Sequence, residues 1–310
     1  MRLFLARHGE TVDNVAGIYA GSRDSPLTAH GVLQARRLGA HLAERAAVLG
    51  PVEHVFASDL RRAADTAGAV VDVLSVARLG MAGGGGGGDA PDGGAGVDGV
   101  GGGGKLPLGV VRLPELRERD FGLAEGQKFG VDLAAAGAES REGMRRRAER
   151  FVAGYLVPLF TAERAAAGGC VVVVAHGLIL DSLLRVLLAR FGPRELARLG
   201  AKMPGWSNTG YVELVVGVHS APPVVVGGSD GSPEVSGKRT PTPEPSTPAP
   251  QQPPVTLTVV GVNVVKHLEG LKKTRGGIGS AQFDKRQRTV DSFFGPAAKK
   301  AKVERGYGDG

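Results

Sequence analysis

Apolar residues in this chain fall into two kinds of segment that alternate along the sequence. Short unbroken runs, typical of strands covered on both faces, occur at 3–6, 55–57, 110–111 and 171–175. Apolar residues recur at helical spacing in four longer segments, 32–49, 61–79, 139–160 and 178–191. Two later strands are predicted at 209–216 and 255–262, and we expect them to be neighbours in the sheet. Alternating strands and helices predict an α/β fold.

Two segments of biased composition interrupt this pattern. Residues 81–105 are rich in glycine and residues 220–254 in proline, serine and threonine, so both lack the apolar side chains that a core requires. We predict one domain over 1–272 with these two segments as disordered insertions. Residues 273–310 lack periodic apolar positions and are predicted to be a disordered basic tail.

A histidine followed by glycine stands at the end of two of the apolar runs, as His8 and as His176. Because open α/β sheets bind ligands beyond the carboxyl ends of their strands, we expect both imidazoles at one edge of the sheet. Taken alone, either histidine is more readily explained as a structural residue. Arg7, Arg62 and Glu118 also follow strand-like runs. Because charged residues accompany both histidines, a catalytic role for the histidines is favoured over a structural one.

These residue types suit phosphoryl transfer through a histidine. A neutral imidazole attacks phosphorus, which divides one difficult displacement into two easier ones. Arginine binds phosphoryl oxygens bidentately, and a protonated carboxyl donates its proton to the leaving alcohol. A second imidazole adds charge stabilisation. We expect neither a metal nor another cofactor to be needed.

Several motifs resemble, in order and spacing, those of the histidine phosphatase superfamily, also called phosphoglycerate mutase-like. They are Arg7-His8-Gly9-Glu10-Thr11 with Asn14, the segments 21–28, 58–66 and 116–126, Glu139-Ser140, and His176-Gly177. The resemblance covers residues 1 to about 216 and the strand at 255–262, and it points to the phosphatase branch. It implies a three-layer sandwich with a mostly parallel central sheet flanked by helices.

The resemblance also implies roles for individual residues. His8 is the expected nucleophile, Glu118 the proton donor, and His176 completes the catalytic group. Arg62 matches the family position better than Arg61, because it is the fourth residue after Ser58. The full expected set of substrate-binding residues is Arg7, Thr11, Asn14, Ser22, Arg62 and Gly177.

Three functions remain open from the sequence: a phosphomonoesterase, a phosphoglycerate-type mutase, and a non-catalytic nuclear interaction protein on a phosphatase fold. The phosphatase is favoured because the segment between Glu118 and His176 is shorter than in cofactor-dependent glycolytic mutases. The substrate stays open among a sugar bisphosphate, a phosphoglycerate and a phosphoprotein. Three successive arginines, 145–147, either recognise a second anionic group or form a solvated helix face.

The tail contains a motif at 287–294 that resembles the PIP box, by which proteins bind the sliding clamp (proliferating cell nuclear antigen). Gln287 is followed by Val290, Phe293 and Phe294, which one turn of helix would place on a single face. Valine stands where leucine, isoleucine or methionine is commoner. Basic clusters at 285–288 and 299–303 predict nuclear localisation, with a plain solvated tail as the alternative.

Composition and charge exclude several further classes of protein. The chain has 310 residues and a single cysteine, Cys170, so it forms no internal disulfide. A net charge of +7 would suit nucleic-acid contact, but aromatic residues interleaved with the basic ones are absent, so direct nucleic-acid binding is not expected. No apolar stretch approaches the ~18 residues of a membrane span, and we expect no cleaved secretory signal before the first strand. We therefore expect an intracellular protein, nuclear and cytoplasmic, without a membrane partner.

Overall fold

The computed structural model describes residues 1–82, 108–200, 203, 205–219, 255–272 and 281–282. Nearly all of both predicted insertions, and the motif at 287–294, lie outside these residues. Two boundaries differ from the prediction. The helix before the first insertion continues to Ala82, and residues 281–282 of the predicted tail contact the domain, where Gln282 forms a bridge with Thr28.

One six-stranded sheet forms the centre of the molecule. Its strands are β1 (Arg2–Arg7), β2 (Val52–Ser58), β3 (Val110–Leu113), β4 (Cys170–Ala175), β5 (Tyr211–Val218) and β6 (Val255–Val264). Their order across the sheet is β3-β2-β4-β1-β5-β6. The first four in this order are parallel, whereas β5 runs antiparallel to both its neighbours. The expected pairing of the two late strands is confirmed.

The α-helices are α1 (Val12–Ala16), α2 (Ala29–Leu49), α3 (Arg61–Ala82), α4 (Arg141–Phe151), α5 (Ala162–Ala167), α6 (Gly177–Phe191) and α7 (Pro193–Leu199). Helix α2 begins three residues earlier than its apolar pattern indicates, because the Thr28 side chain caps it by accepting from the Gly31 N–H. The helix predicted over 139–160 is divided. Ser140 caps α4, and a π turn (Val152–Leu156) and a 3-10 turn (Val157–Leu159) follow it.

Helices cover both faces of the sheet, which confirms the three-layer sandwich with a mostly parallel sheet. Alternate side chains of β1 separate the two cores: Leu3 and Leu5 pack with α4 and α6, whereas Phe4 and Ala6 pack with α2 and α3. Short 3-10 turns occur at Pro114–Leu116, Gly122–Ala124 and Lys266–Leu268. Within the described part of the chain, no helix combines the length and apolar character needed to cross a bilayer.

The carboxyl ends of the four parallel strands meet at one edge of the sheet. β1 pairs with β4 so that Arg7 is opposite Ala175, and β2 pairs with β3 so that Ser58 is opposite Leu113. Residues that follow these strands are therefore brought together although they are up to about 170 positions apart in sequence. This edge carries the site.

Candidate active site

His8 leaves β1 with its side chain buried and its ring oriented by the next residue. Its backbone N–H donates to the Ala175 carbonyl oxygen at 2.9 Å, which continues the pairing of β1 with β4. Its ring Nδ1 lies 2.7 Å from the Gly9 carbonyl oxygen. A carbonyl only accepts, so Nδ1 carries the hydrogen and Nε2 keeps a lone pair.

Glycine is required at position 9 by a close backbone contact. A Cβ atom placed there would lie 2.6 Å from the Gly31 carbonyl oxygen at the start of α2. The Gly9 N–H donates to the Thr66 hydroxyl oxygen at 3.0 Å. The same hydroxyl donates to the Arg62 carbonyl oxygen at 2.7 Å, so Thr66 joins the loop after β1 to helix α3.

His176 is the N-cap of α6 and is completely buried. Its ring centroid lies 5.0 Å from that of His8. Arg62 Nε donates to His176 Nδ1 at 3.1 Å, and because guanidinium has no acceptor atom, Nδ1 must be unprotonated. Nε2 of His176 therefore carries the hydrogen, and it has no hydrogen-bond partner among the described residues. The two histidines thus have opposite tautomers.

Both imidazoles are held neutral. Burial lowers the pKa of His8 and of His176 well below the usual histidine range, and the nearby positive charge of Arg62 acts in the same direction. A neutral imidazole is the form that can attack phosphorus. A neutral His176 still donates one hydrogen bond from Nε2.

The two arginines are fixed before any ligand binds. Arg62 is buried, and its two Nη atoms donate to the carbonyl oxygens of Ala20, Gly21 and Arg23 at 2.7–2.9 Å. Arg7 donates from Nη1 to the Trp206 carbonyl oxygen at 2.7 Å, while its buried Nε has no partner in the described structure. Both guanidinium groups supply positive charge in a water-poor environment, where charge interactions are strong.

Glu118 connects the loop after β3 with the first turn of α6. Its Oε1 accepts from the backbone N–H groups of Arg119 and Ile179, and its Oε2 accepts from that of Leu178 at 3.1 Å. Burial raises the pKa of the carboxyl above its ordinary value, although these donors and Arg62 oppose the shift. Among the described residues, Oε2 has one hydrogen-bond partner, so it can also hold a proton.

These residues enclose a cavity of about 100 Å³, the volume of about three water molecules. Its lining residues are Arg7, His8, Thr11, Asn14, Ile18, Ala20, Arg62, Glu118, Phe121 and Phe129. With Glu118 protonated, the cavity holds two positive charges and no negative one. It is suited in size and charge to a phosphoryl group.

Most of the predicted site residues meet here, and two do not. Arg7, His8, Thr11, Asn14, Arg62 and Glu118 line the cavity, and His176 packs against His8. Ser22 does not line it: the residue is exposed, and its backbone N–H donates to Glu125 Oε1 at 2.9 Å. Gly177 does not line it either, but begins α6 beside Glu118. The predicted partner-binding residues Gln287, Val290, Phe293 and Phe294 lie outside the described residues.

The sequence did not predict that Asn208 contacts the site, nor that Glu125 binds several backbone N–H groups beside it. Asn208 Nδ2 donates to the carbonyl oxygen of His8 and to Asn14 Oδ1, which ties the turn before β5 to the site. Glu125 accepts from four backbone N–H groups, those of Gly21, Ser22, Arg23 and Phe121. The only sequence signal for Asn208 is the polar Asn208-Thr209-Gly210 turn before an apolar run. No group of three or more histidine, cysteine or acidic side chains is placed to hold a metal ion within the part that the structure describes.

Comparisons with known proteins agree with this geometry. The sequence model of the histidine phosphatase superfamily (branch 1) matches residues 3–79. A protein of Schizosaccharomyces pombe named "probable phosphatase" is 25% identical over 299 residues, covering 93% of this chain and 78% of that protein. The "probable phosphoglycerate mutase GpmB" of Enterobacter sp. (strain 638) is 27% identical over 241 residues, covering 70% of this chain and 93% of that one.

A solved structure, "Mycobacterial hydrolase 2", shares the fold. It superposes with a TM-score of 0.51 at 21% identity, covering 84% of this chain and 90% of that one. Over residues 3–79 the chain is similar to the histidine phosphatase superfamily (branch 1), and its relatives include proteins named as phosphatases and as phosphoglycerate mutases.

Proposed function

We propose that this protein is a phosphomonoesterase that acts through a phosphohistidine at His8. One observation carries the proposal: His8 and His176 lie side by side with opposite tautomers, each fixed by a hydrogen bond on Nδ1. One ring therefore presents a lone pair on Nε2, and the other presents an N–H. A nucleophile and a hydrogen-bond donor are what a phosphoryl group requires on adjacent sides.

In the first step, His8 Nε2 attacks phosphorus and a nitrogen–phosphorus bond forms as the bond from phosphorus to the ester oxygen breaks. Glu118 gives its proton to that oxygen, so the product leaves as an alcohol. Arg7, Arg62 and the His176 N–H stabilise the negative charge on the phosphoryl oxygens. The cavity is ordered beforehand, so little reorganisation is needed.

In the second step, a water molecule attacks the phosphorus atom. The nitrogen–phosphorus bond breaks, His8 recovers its lone pair, and the Glu118 carboxylate takes a proton from the water. The products are inorganic phosphate and a protein in its starting state. A mutase would instead keep the phosphoryl group on His8 and return it to a second hydroxyl group.

Labelling with a radioactive phosphoryl donor tests the proposal. We expect a label that is lost in acid, survives alkali and maps to His8. His8→Ala should remove both label and turnover, whereas His219→Ala, at an exposed histidine directly after β5, should keep both. A label that persists in the His8→Ala protein contradicts the assignment. Conversion of 3-phosphoglycerate to 2-phosphoglycerate without phosphate release would favour the mutase.

For the tail, we propose a separate role in docking to the sliding clamp in the nucleus. The motif of Gln287, Val290, Phe293 and Phe294 supports it, together with the basic clusters on either side. A peptide of residues 285–300 should bind the clamp in the micromolar range, because a short segment must be ordered on docking. Replacing both phenylalanines by alanine should abolish binding, and Val290→Leu should tighten it. An absence of calorimetric heat at high micromolar peptide would reject the motif.

A further inference from the structure

The outer wall of the active-site cavity is apolar and partly exposed. Ile18, Phe121 and Phe129 line the cavity together with the charged residues deeper inside. Phe121 is buried, whereas 61% of Phe129 remains exposed to solvent. An aromatic ring is therefore available where the organic part of a substrate would leave the cavity.

Two loops build this wall and fix the position of Phe129. The Phe129 N–H donates to the Gly17 carbonyl oxygen at 3.2 Å, and the Tyr19 N–H donates to that of Gln127 at 2.9 Å. Tyr19 packs behind the wall, with its ring centroid 4.8 Å from Phe121 and 4.9 Å from Phe129. The loops are thus bound by backbone hydrogen bonds and by an aromatic cluster.

An exposed aromatic side chain alone indicates little, because single apolar residues are common on protein surfaces. Phe129 differs in two respects: its ring is held by Tyr19, and it borders the cavity that contains His8. Its exposed face is positioned to pack against a flat apolar group. Such a contact favours offset or edge-to-face aromatic pairs.

Cations on the loops that border the site already have partners. Arg23 pairs with Asp13 at 3.1 Å, Arg61 pairs with Asp65 at 3.2 Å, and Lys128 Nζ donates to the Ala16 carbonyl oxygen at 2.5 Å. To bind a second anionic group on the substrate, Arg23 or Arg61 would have to release its carboxylate partner, whereas Lys128 keeps its charge and two further donor hydrogens. An uncharged aromatic group needs no such exchange.

We infer that the preferred substrates are phosphomonoesters whose alcohol carries an aromatic group, and that Phe129 is the residue that selects them. The inference rests on the proposed phosphatase function and specifies its substrate class. The phosphoryl group occupies the charged interior of the cavity, and the aromatic group packs on the exposed face of Phe129.

Three esters of primary alcohols test this inference: ethyl phosphate, 2-phenylethyl phosphate and 3-phosphoglycerate. Their leaving groups are similar, so differences report binding of the organic part. Since burying a phenyl group contributes strongly to binding, kcat/KM for 2-phenylethyl phosphate should exceed that for ethyl phosphate by about 10-fold or more. We expect 3-phosphoglycerate to show no such advantage.

Variants connect the preference to one residue. Phe129→Ala should lower the ratio of kcat/KM between the phenylethyl and ethyl esters by about 5-fold to 10-fold, and Phe129→Leu should keep part of it. Leu123→Ala is the matched control: Leu123 is 79% exposed on the same loop region but does not line the cavity, so the ratio should not change.

The outcomes distinguish a failure of the inferred substrate class from a failure of the proposed phosphatase function. A ratio near one, an unchanged ratio in Phe129→Ala, or a preference for 3-phosphoglycerate overturns the substrate class, while phosphate release that depends on His8 keeps the phosphatase. No turnover of 2-phenylethyl phosphate by a protein whose His8 takes up label also overturns the substrate class alone. Failure of all three esters together with the absence of that label overturns both.

Discussion

The inner and outer parts of the cavity are built by different means. The inner part consists of residues at the ends of parallel strands: Arg7 ends β1 and His8 follows it, Arg62 lies near the start of α3 after β2, and Glu118 follows β3. The outer part, with Ile18 and Phe129, consists of two loops joined by a short backbone ladder. Strand ends are fixed by the sheet, whereas loops change freely in length and composition. On the proposed function, the inner part would perform the chemistry and the outer part would select the substrate.

Among the following variants, replacement of Glu118 should lower activity most. It should affect only the chemistry of the inner part of the cavity. Glu118→Gln keeps the size and part of the hydrogen bonding of the side chain but cannot donate a proton to the leaving oxygen. Hydrolysis of ethyl and 2-phenylethyl phosphate should both fall by about 10²–10⁴-fold, so their ratio should stay the same. An activated aryl ester such as p-nitrophenyl phosphate, which needs little protonation, should lose much less.

The pH profile provides a second measurement on this variant. Because burial raises the pKa of Glu118 and the acid must be protonated, ethyl phosphate turnover should decline as the pH rises through that pKa. This alkaline decline should disappear in Glu118→Gln. Equal losses on alkyl and aryl esters would transfer the acid role to another residue.

Arg147 should have an intermediate effect, because it positions the loop that carries Glu118. Its guanidinium donates to both carboxylate oxygens of Glu139 and to the carbonyl oxygens of Glu115 and Arg117. Lysine cannot reproduce this planar fork. Arg147→Lys should lower kcat on ethyl phosphate by about 10-fold, with little change in KM and a smaller loss on p-nitrophenyl phosphate.

A neighbouring arginine supplies the control for that experiment. Arg145 is exposed and pairs with Glu142 and Glu149 along the same helix, so Arg145→Lys should leave kcat unchanged. Arg146 also pairs with Glu142, and none of these three arginines lines the cavity. If the two lysine variants lose equal activity, Arg147 has no special part in positioning Glu118.

His267 should have the smallest effect, on stability rather than on chemistry. Its Nε2 lies 3.0 Å from the Thr209 hydroxyl, and the Thr209 N–H donates to the carbonyl oxygens of Arg7 and His8. Burial lowers the pKa of His267 from 6.5 to about 4. As the pH falls, the His267 ring therefore takes up a proton in the unfolded chain before it does so in the folded protein. Its contribution to stability is complete above about pH 6.5 and decreases as the pH falls towards 4.

The measurement compares the free energy of unfolding at pH 7 and pH 5. The wild type should lose about 2 kcal/mol more than His267→Gln over this interval, because glutamine does not titrate. Each denaturant series uses the same protein at both pH values, so other titrating groups cancel in the difference. Identical pH dependence of the two proteins would contradict the lowered pKa of His267.

The same contrast explains which parts of the site could be predicted from sequence. His8 and His176 follow unbroken apolar runs, and parallel strands bring such positions to one edge regardless of the distance along the chain. The position of Arg62 follows from the first turn of a helix after β2. These constraints involve only a strand and the residues directly after it, so they can be recognised in a single sequence.

The outer wall and Ser22 depend on contacts that the sequence does not display. Ile18 pairs with Lys128 across about 110 residues, and no periodic pattern marks either loop. Ser22 belongs to a segment whose backbone N–H groups point to Glu125, and this holds Ser22 away from the cavity. Helix α2 begins before its apolar pattern for a related reason, since the capping residue Thr28 lies outside that pattern.

The opposite tautomers of His8 and His176 are the basis of the proposed chemistry, and two-bond 15N–1H NMR correlation of the imidazole rings measures them directly. At pH 7 the account predicts two neutral rings, with the hydrogen on Nδ1 in His8 and on Nε2 in His176. Assignment follows from spectra of His8→Gln and His176→Gln proteins. The same tautomer in both rings, or a protonated His8 at pH 7, would contradict the account.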